Sequence, residues 1–334
     1  MKVVIIGGVA AGTKVAAKLK SERPQDEIVI YTKGRDISYA GCGLPYYIGG
    51  SIQTEEELIV NTPAKFMGLT GTKVYTGSEV VAVDAAAKTI SVRGDGLQSV
   101  GYDKLVIAVG AEPGIPPVEG VGLPGVFSVR TPEDAIGARK YAEEHHCRRA
   151  VVVGGGFIGL EVAENLMARG MNVTVMDMAP QLMPNIFDSE MADYVRRQLQ
   201  GKGLRILTGT ALNGIGGSGA VENVQTGAGV LPADMVILAA GIRPATKFLA
   251  DSGLEMERGC IVTDEYQQTN LSDVYAVGDC AIVRNRITGK RQWSAMGSTA
   301  NITGRTLALN LGGERMGYGG CLGTGVVKHA DGLN

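Results

Sequence analysis

Two stretches of the chain share one order: a β-branched run, a cluster of glycines, then a helical pattern. The first is Val3-Val4-Ile5-Ile6-Gly7-Gly8-Val9-Ala10-Ala11-Gly12. The second is Ala150-Val151-Val152-Val153-Gly154-Gly155-Gly156-Phe157-Ile158-Gly159. This repeat constrains the fold more than any other feature, because strands joined by crossover helices pair in parallel and bury both faces. After the first cluster Val15, Ala16 and Leu19 fall on one helical face. After the second, Ile158, Val162 and Leu166 do, with Gly170 as a stop. Each helix leads to another strand, at 27–31 and 172–176. Alternating, turn-punctuated segments follow at 74–92 and 204–230. Each copy closes on an apolar strand ending in glycine, at 105–110 and 235–241, with Pro113 and Pro244 soon after. The expected class is α/β with two parallel-stranded units. The stretch 112–125 holds Pro113, Pro116, Pro117 and Pro124 and reads as a linker, and a second falls at 240–247.

Composition narrows the function. A length of 334 residues suits two or three domains. Lys and Arg total 32 against 34 Asp and Glu, which argues against a nucleic-acid binder. Glycine, at 49 residues, is about twice its usual share, as expected where backbone closely approaches ligand. No apolar run nears the roughly 20 residues that span a bilayer. The five cysteines include no C-x-x-C pair, and the N-terminus enters a strand with no leader pattern. A soluble cytoplasmic protein with reduced thiols is expected, away from membranes and nucleic acid.

A strand, a glycine turn and a helix N-terminus form an anion site, since the unpaired helix amides and dipole favour a pyrophosphate. Gly154-x-Gly156-x-x-Gly159 fits the dinucleotide pattern fully, and Asp177 stands 18 residues past its last glycine. A carboxylate there accepts from ribose hydroxyls and repels a 2′-phosphate, which favours NADH over NADPH. The first cluster is imperfect. Gly7 and Gly12 are in place, but Val9 occupies the middle position, and Thr32 with Lys33 stands where an acid is expected. Two such sites suggest one flavin and one nicotinamide cofactor. Cys42 lies in Ser38-Tyr39-Ala40-Gly41-Cys42-Gly43-Leu44-Pro45-Tyr46-Tyr47-Ile48-Gly49-Gly50. If a helix starts there, its N-terminus would lower the thiol pKa.

From about residue 3 to 328 the chain resembles the single-cysteine branch of the FAD-dependent pyridine nucleotide-disulfide oxidoreductases. That branch holds coenzyme A-disulfide reductases, NADH oxidases, NADH peroxidases and persulfide reductases. The motifs are Ser38-Tyr39-x-x-Cys42 with Gly43-Leu44-Pro45-Tyr46-Tyr47, and Gly154 to Glu161 with Glu164. Three more are Gly241-Ile242-Arg243-Pro244, Tyr275-Ala276-Val277-Gly278-Asp279 and Ala300-Asn301-x-x-Gly304-Arg305. The resemblance implies two Rossmann-like dinucleotide-binding domains. The FAD domain is discontinuous, 1–112 and 245–314, with an NAD(P)H domain, 113–244, inserted. Residues 315–334 open a C-terminal dimerisation domain most of which lies outside this chain, and the full-length family is expected to be homodimeric.

The resemblance also implies a site. Cys42 and Glu161 are catalytic, Cys42 cycling between thiolate and a mixed disulfide or sulfenic acid. Cofactor contacts are expected from Gly7, Val9, Ala10, Ala11, Gly12, Thr32, Lys33, Ser38 and Cys42. Val80, Ala108, Gly110, Gly278, Asp279, Ala295 and Ala300 add to these. So do Gly154, Gly156, Phe157, Ile158, Asp177 and Gly241. Coenzyme A phosphates would meet Lys18, Lys20 and Ser38. Several positions depart from the pattern: Gly41 replaces an Asn before the cysteine, Thr32 a Glu, and Val109 a Thr. Peroxidase and oxidase members carry a His in the first glycine loop, and Ala10 stands there.

The leading expectation is therefore an NADH-dependent FAD reductase of coenzyme A disulfide, or a related persulfide or polysulfide, through Cys42. An NADH oxidase or peroxidase using Cys42 as sulfenic acid is the second. A flavoprotein reductase of a small electron-transfer protein is the third, and an idle flavin-binding fragment the fourth. No metal site is expected: His145-His146-Cys147 is contiguous, a poor arrangement for converging on one ion. Trp293 and Cys280 read as packing residues.

Overall fold

The Val3 to Ile6 run is apolar at every position, so it belongs in a sheet covered on both faces. The computed structural model describes residues 1–324 and builds that sheet. Its helices are α1 (Ala10–Glu22), α2 (Leu44–Gly49), α3 (Pro63–Thr70), α4 (Pro132–Glu144), α5 (Phe157–Ala168), α6 (Ser189–Gly201) and α7 (Gly297–Gly312). The chain divides into two compact units. The first comprises Met1–Tyr39, Ile59–Glu112 and Arg243–Thr324. The second comprises Ala40–Leu58 and Pro113–Ile242.

In the first unit five strands run in the order Val274–Ala276, Lys104–Ile107, Lys2–Ile6, Glu27–Tyr31 and Lys73–Tyr75, all parallel. Alternate side chains of the first strand serve opposite faces. Val3 and Ile5 pack with Val15 and Leu19 of α1 and Leu307 of α7. Val4 and Ile6 pack with Ile90, Val92 and Leu249. Helices α1 and α7 touch closely, since a Cβ at Gly304 would come to 2.8 Å from the Ala11 carbonyl oxygen.

The second unit repeats the plan, with parallel order Arg205–Leu207, Asn172–Met176, Arg149–Val153, Met235–Leu238 and Val126–Ser128. An antiparallel sheet of Leu212–Gly216, Asn223–Thr226 and Gly229–Pro232 packs Ile215 and Val224 against Val151, Val153 and Val236. Helix α4 starts at a capping box, in which Thr131 accepts from the Asp134 amide and Asp134 accepts from the Thr131 amide.

The doubly repeated α/β architecture is as the sequence indicates, with two local corrections. The closing strands stop at Ile107 and Leu238, short of the expected glycines. The chain must turn there, and Gly110 and Gly241 adopt φ of +68° and +96°. Ile158 is 40% exposed, because Gly159, Val162, Ala163 and Leu166 form the buried stripe of α5. No helix among the described residues is long and apolar enough to cross a membrane. His329 and residues 325–334 of the expected C-terminal domain lie outside the described residues.

Candidate active site

In the first unit the glycine loop is closed by backbone. A Cβ at Gly7 would overlap the Ala108 carbonyl oxygen, and one at Gly12 would overlap the Gly7 carbonyl oxygen. Gly7 has φ of +108°, a conformation that costs glycine little. Val9 is the N-cap of α1 and gives no side-chain cap, so the first amides of the helix face an open cradle. Gly278 joins from the other side: its Cβ would lie 2.9 Å from Ala11 and 3.6 Å from Ala300. Thus Gly7, Ala11, Gly12, Ala108, Gly278 and Ala300 converge. Thr303, which the sequence did not single out, accepts from the Gly278 amide at 3.2 Å.

The second unit repeats the backbone hydrogen bonds of this cradle. The Gly7 amide donates to Tyr31 O at 2.8 Å, and the Gly154 amide to Met176 O at 2.7 Å. Ser38 N donates to Gly8 O and Met183 N to Gly155 O, with Ser38 and Met183 both left-handed at φ of 49° and 46°. Thr32 N bonds Tyr75 O where Asp177 N bonds Leu207 O, each at 2.9 Å. A Cβ at Gly154 would overlap Ala239 O, and one at Gly159 would overlap Gly154 O, while one at Gly156 meets nothing within 4 Å. Gly156 is the N-cap of α5. Asp177 accepts from Gly155 N at 2.7 Å and Ala179 N at 2.8 Å, so its carboxylate braces the loop.

Cys42 is exposed, in a single 3-10 turn (Gly41–Gly43) that runs straight into α2. A helix does begin here. Tyr46 follows four residues on, within α2. Burial raises the Tyr46 hydroxyl above its ordinary pKa, and Glu161, Glu164 and Cys42 add to the effect. The structure thus brings Cys42, Tyr46, Glu161 and Glu164 into one neighbourhood. Tyr46, Glu161, Glu164 and Asn165 line a cavity of about 490 Å³.

Two arginines unmarked by any motif hold this segment. Arg139 Nη1 lies 3.3 Å from Tyr47 O, 3.2 Å from Ile52 O and 3.2 Å from Gln53 O, and its guanidinium sits 4.7 Å from the Tyr47 ring centre. Arg169 Nη1 donates to Ile48 O at 3.0 Å. Both pair with Glu143, at 3.1 and 2.8 Å, and hold its carboxyl below the usual carboxylate range, Arg169 most strongly.

The remaining expected residues are scattered. Lys18 pairs with Glu22, and Lys20 donates to Asp26 O at 2.6 Å, so both side chains are engaged within the first unit. Lys33 pairs with Glu79 at 3.0 Å, beside the buried Val80. Ala10 opens α1, Phe157 and Ile158 open α5, and Ala295 precedes α7. The Asp279 carbonyl accepts from Trp293 Nε1 at 2.6 Å, which gives the indole a structural role. Among the described residues no group of three or more His, Cys, Asp or Glu could hold a metal ion.

Both cradles have backbone where side chains would intrude and open, uncapped helix starts, which fits dinucleotide pyrophosphates. A family model described as pyridine nucleotide-disulphide oxidoreductase matches residues 1–300. The chain belongs to this family. As a member it is an FAD-containing, NAD(P)H-dependent oxidoreductase. It is 37% identical to a Methanocaldococcus jannaschii protein named NADH oxidase, across 99% of this chain and 74% of that protein. It is 36% identical to a Pyrococcus horikoshii protein named NAD(P)H coenzyme A polysulfide/persulfide reductase, again across 99% and 74%. A solved NAD-dependent persulfide reductase from A. fulgidus matches with a TM-score of 0.96 at 35% identity, covering 99% of this chain and 63% of that one.

Proposed function

We propose that the chain carries electrons from NADH through FAD to Cys42, and on to coenzyme A disulfide or a related persulfide or polysulfide. In this reading 1–112 and 245–314 hold FAD in the first cradle, and 113–244 hold NADH in the second. The observation that supports it most is the exposed Cys42, four residues before Tyr46, whose hydroxyl feels both Cys42 and the Glu161 and Glu164 that line a cavity with it. The names borne by the similar Pyrococcus horikoshii and A. fulgidus proteins agree with a sulfur substrate.

Bound FAD would supply the two-electron relay between nicotinamide and sulfur. The protein's own part is at Cys42. Its thiolate attacks one sulfur of the disulfide, the S–S bond breaks, and one coenzyme A leaves as thiolate. Two electrons from NADH, with a proton from solvent, then regenerate Cys42 and free the second coenzyme A. The sum is NADH, a proton and the disulfide giving NAD⁺ and two thiols. Glu161, in the second turn of α5, lines the same cavity as Tyr46 and orients the groups around it.

Anaerobic NADH titration of the yellow protein tests this. Uptake of two equivalents per FAD, the first leaving the flavin oxidised, is the expected result, and Cys42→Ser reduces it to one. Direct bleaching by one equivalent in the wild type would move the function to electron transfer that bypasses Cys42. The Methanocaldococcus jannaschii relative's name favours a second reading, an NADH oxidase with Cys42 as sulfenic acid. Mass spectrometry of the isolated protein separates the two: coenzyme A on Cys42 against one added oxygen.

A further inference from the structure

The two cradles share their backbone path but differ at the helix N-cap, Val9 against Gly156, and at the end of the next strand, Thr32 against Asp177. In the second, the Asp177 carboxylate caps the Gly155 amide at 2.7 Å. In the first, Thr32 occupies that station, with its Cβ and Cγ2 each 3.3 Å from where a Gly8 Cβ would be. The Gly8 amide, buried in the loop, makes no hydrogen bond among the described residues. Thr32 is itself only 8% exposed, so a methyl-bearing, uncharged side chain lines this corner. Two acids on adjoining segments are already engaged: Glu79 pairs with Lys33 and Arg93, and Asp36 with Arg35.

An acid at this station does two jobs. It satisfies the loop amide, and it accepts from the adenosine ribose of a bound dinucleotide. The second cradle has a carboxylate for both; the first offers only the uncharged Thr32 hydroxyl and leaves the Gly8 amide without a bond among the described residues. We infer that Thr32 makes the adenosine end the weak end of FAD binding, so that FAD occupancy follows the free FAD concentration. This rests on the proposal that the first cradle holds FAD. The phosphates still meet the open start of α1, so binding persists but is readily reversed. The consequence is reciprocal: one carboxylate at position 32 would complete the corner, because its geometry already exists at Asp177.

The test uses the full chain, freed of FAD and titrated with it, with binding read by quenching of flavin fluorescence. Thr32→Asp and the longer Thr32→Glu are compared with Thr32→Val, and Asp177→Thr makes the reverse exchange. A charge-assisted hydrogen bond predicts that the better-seated acid lowers the FAD Kd about tenfold or more. Thr32→Val leaves it within roughly twofold, because no bond of the threonine hydroxyl is lost. Asp177→Thr raises the NADH Kd and spares FAD. A wild-type melting temperature insensitive to added FAD, or acidic variants that fold normally and bind FAD no tighter, overturns the inference. If instead Asp177→Thr weakens FAD and the position 32 acids tighten NADH, the assignment of cofactors to cradles has failed, and that pattern is distinct.

Discussion

Replacing Arg139 by Met tests what holds the Cys42 segment. Methionine keeps an apolar stem but removes the hydrogen bonds to Tyr47, Ile52 and Gln53 and the contact with the Tyr47 ring. The three carbonyls share one guanidinium nitrogen at 3.2–3.3 Å, so they count as one or two charge-assisted bonds rather than three. That gives about 2–3 kcal/mol, with roughly 0.5–1 more from the ring. The pair with Glu143 adds little, since that carboxylate is 49% exposed. The loss is local, and at 1.4 kcal/mol per tenfold it is roughly 60- to 700-fold in the opening equilibrium. Native-state hydrogen exchange reads it at Gly50, Ser51 and Ile52, whose amides bond to Tyr46 and Tyr47 carbonyls. Their protection should fall by that factor while amides of Arg149–Val153 keep theirs. A fall of under about threefold, or an equal loss in that strand, would refute the reasoning.

Thiol labelling of the native protein should find one fast cysteine. Cys42 is exposed, whereas burial pushes Cys260 up to about 11 and Cys280 up to about 12. Fast labelling of a second site by mapped mass spectrometry would contradict this. Gly156→Ala should leave the melting temperature unchanged, since its new methyl meets nothing. It should nevertheless raise the NADH Kd about tenfold by occupying the pyrophosphate's space. Gly159→Ala should lower stability instead, because its Cβ overlaps the Gly154 carbonyl. Asp234 gives an acid limb. The Arg149 guanidinium and the Arg148 and Arg149 amides outweigh burial and hold its carboxyl below the usual value. Its contribution is complete above about pH 4, the unfolded value, and vanishes as pH falls through the folded one. Melting curves of the wild type and Asp234→Asn should converge below that pH, and a gap constant with pH would be inconsistent.

Much of the scaffold could be read from the sequence because its signals are local. The apolar runs at Val3 and Ala150 and the glycines after them each act over a few residues, and both cradles formed as those patterns indicate. The seat of Cys42 could not be read this way. Arg139 and Arg169 reach carbonyls 86 to 121 residues away, and nothing in their own neighbourhoods marks them. Lys18 and Lys20 show the converse: their helix looked open to a phosphate, but partners at Glu22 and Asp26 occupy them. Spacing alone puts Ile158 in the buried stripe of α5, yet the helix buries Gly159, Leu160, Val162, Ala163 and Leu166 instead. Thr303 was missed because a threonine inside a helix carries no pattern of its own.

Helix α2 rests on α5 at Gly49, where even a methyl group would collide with Asn165. The two helices are therefore already at the closest distance their atoms permit. Asn165 is in turn fixed by its bond to the Glu161 carbonyl at 2.8 Å. The floor beneath the cysteine segment is incompressible at that point. Anything that grows on the Cys42 sulfur must find its room on the solvent side, and cannot be taken up by α2 sinking onto α5. A bulky adduct and a small one would thus leave the helix at one height and differ only in how far they project.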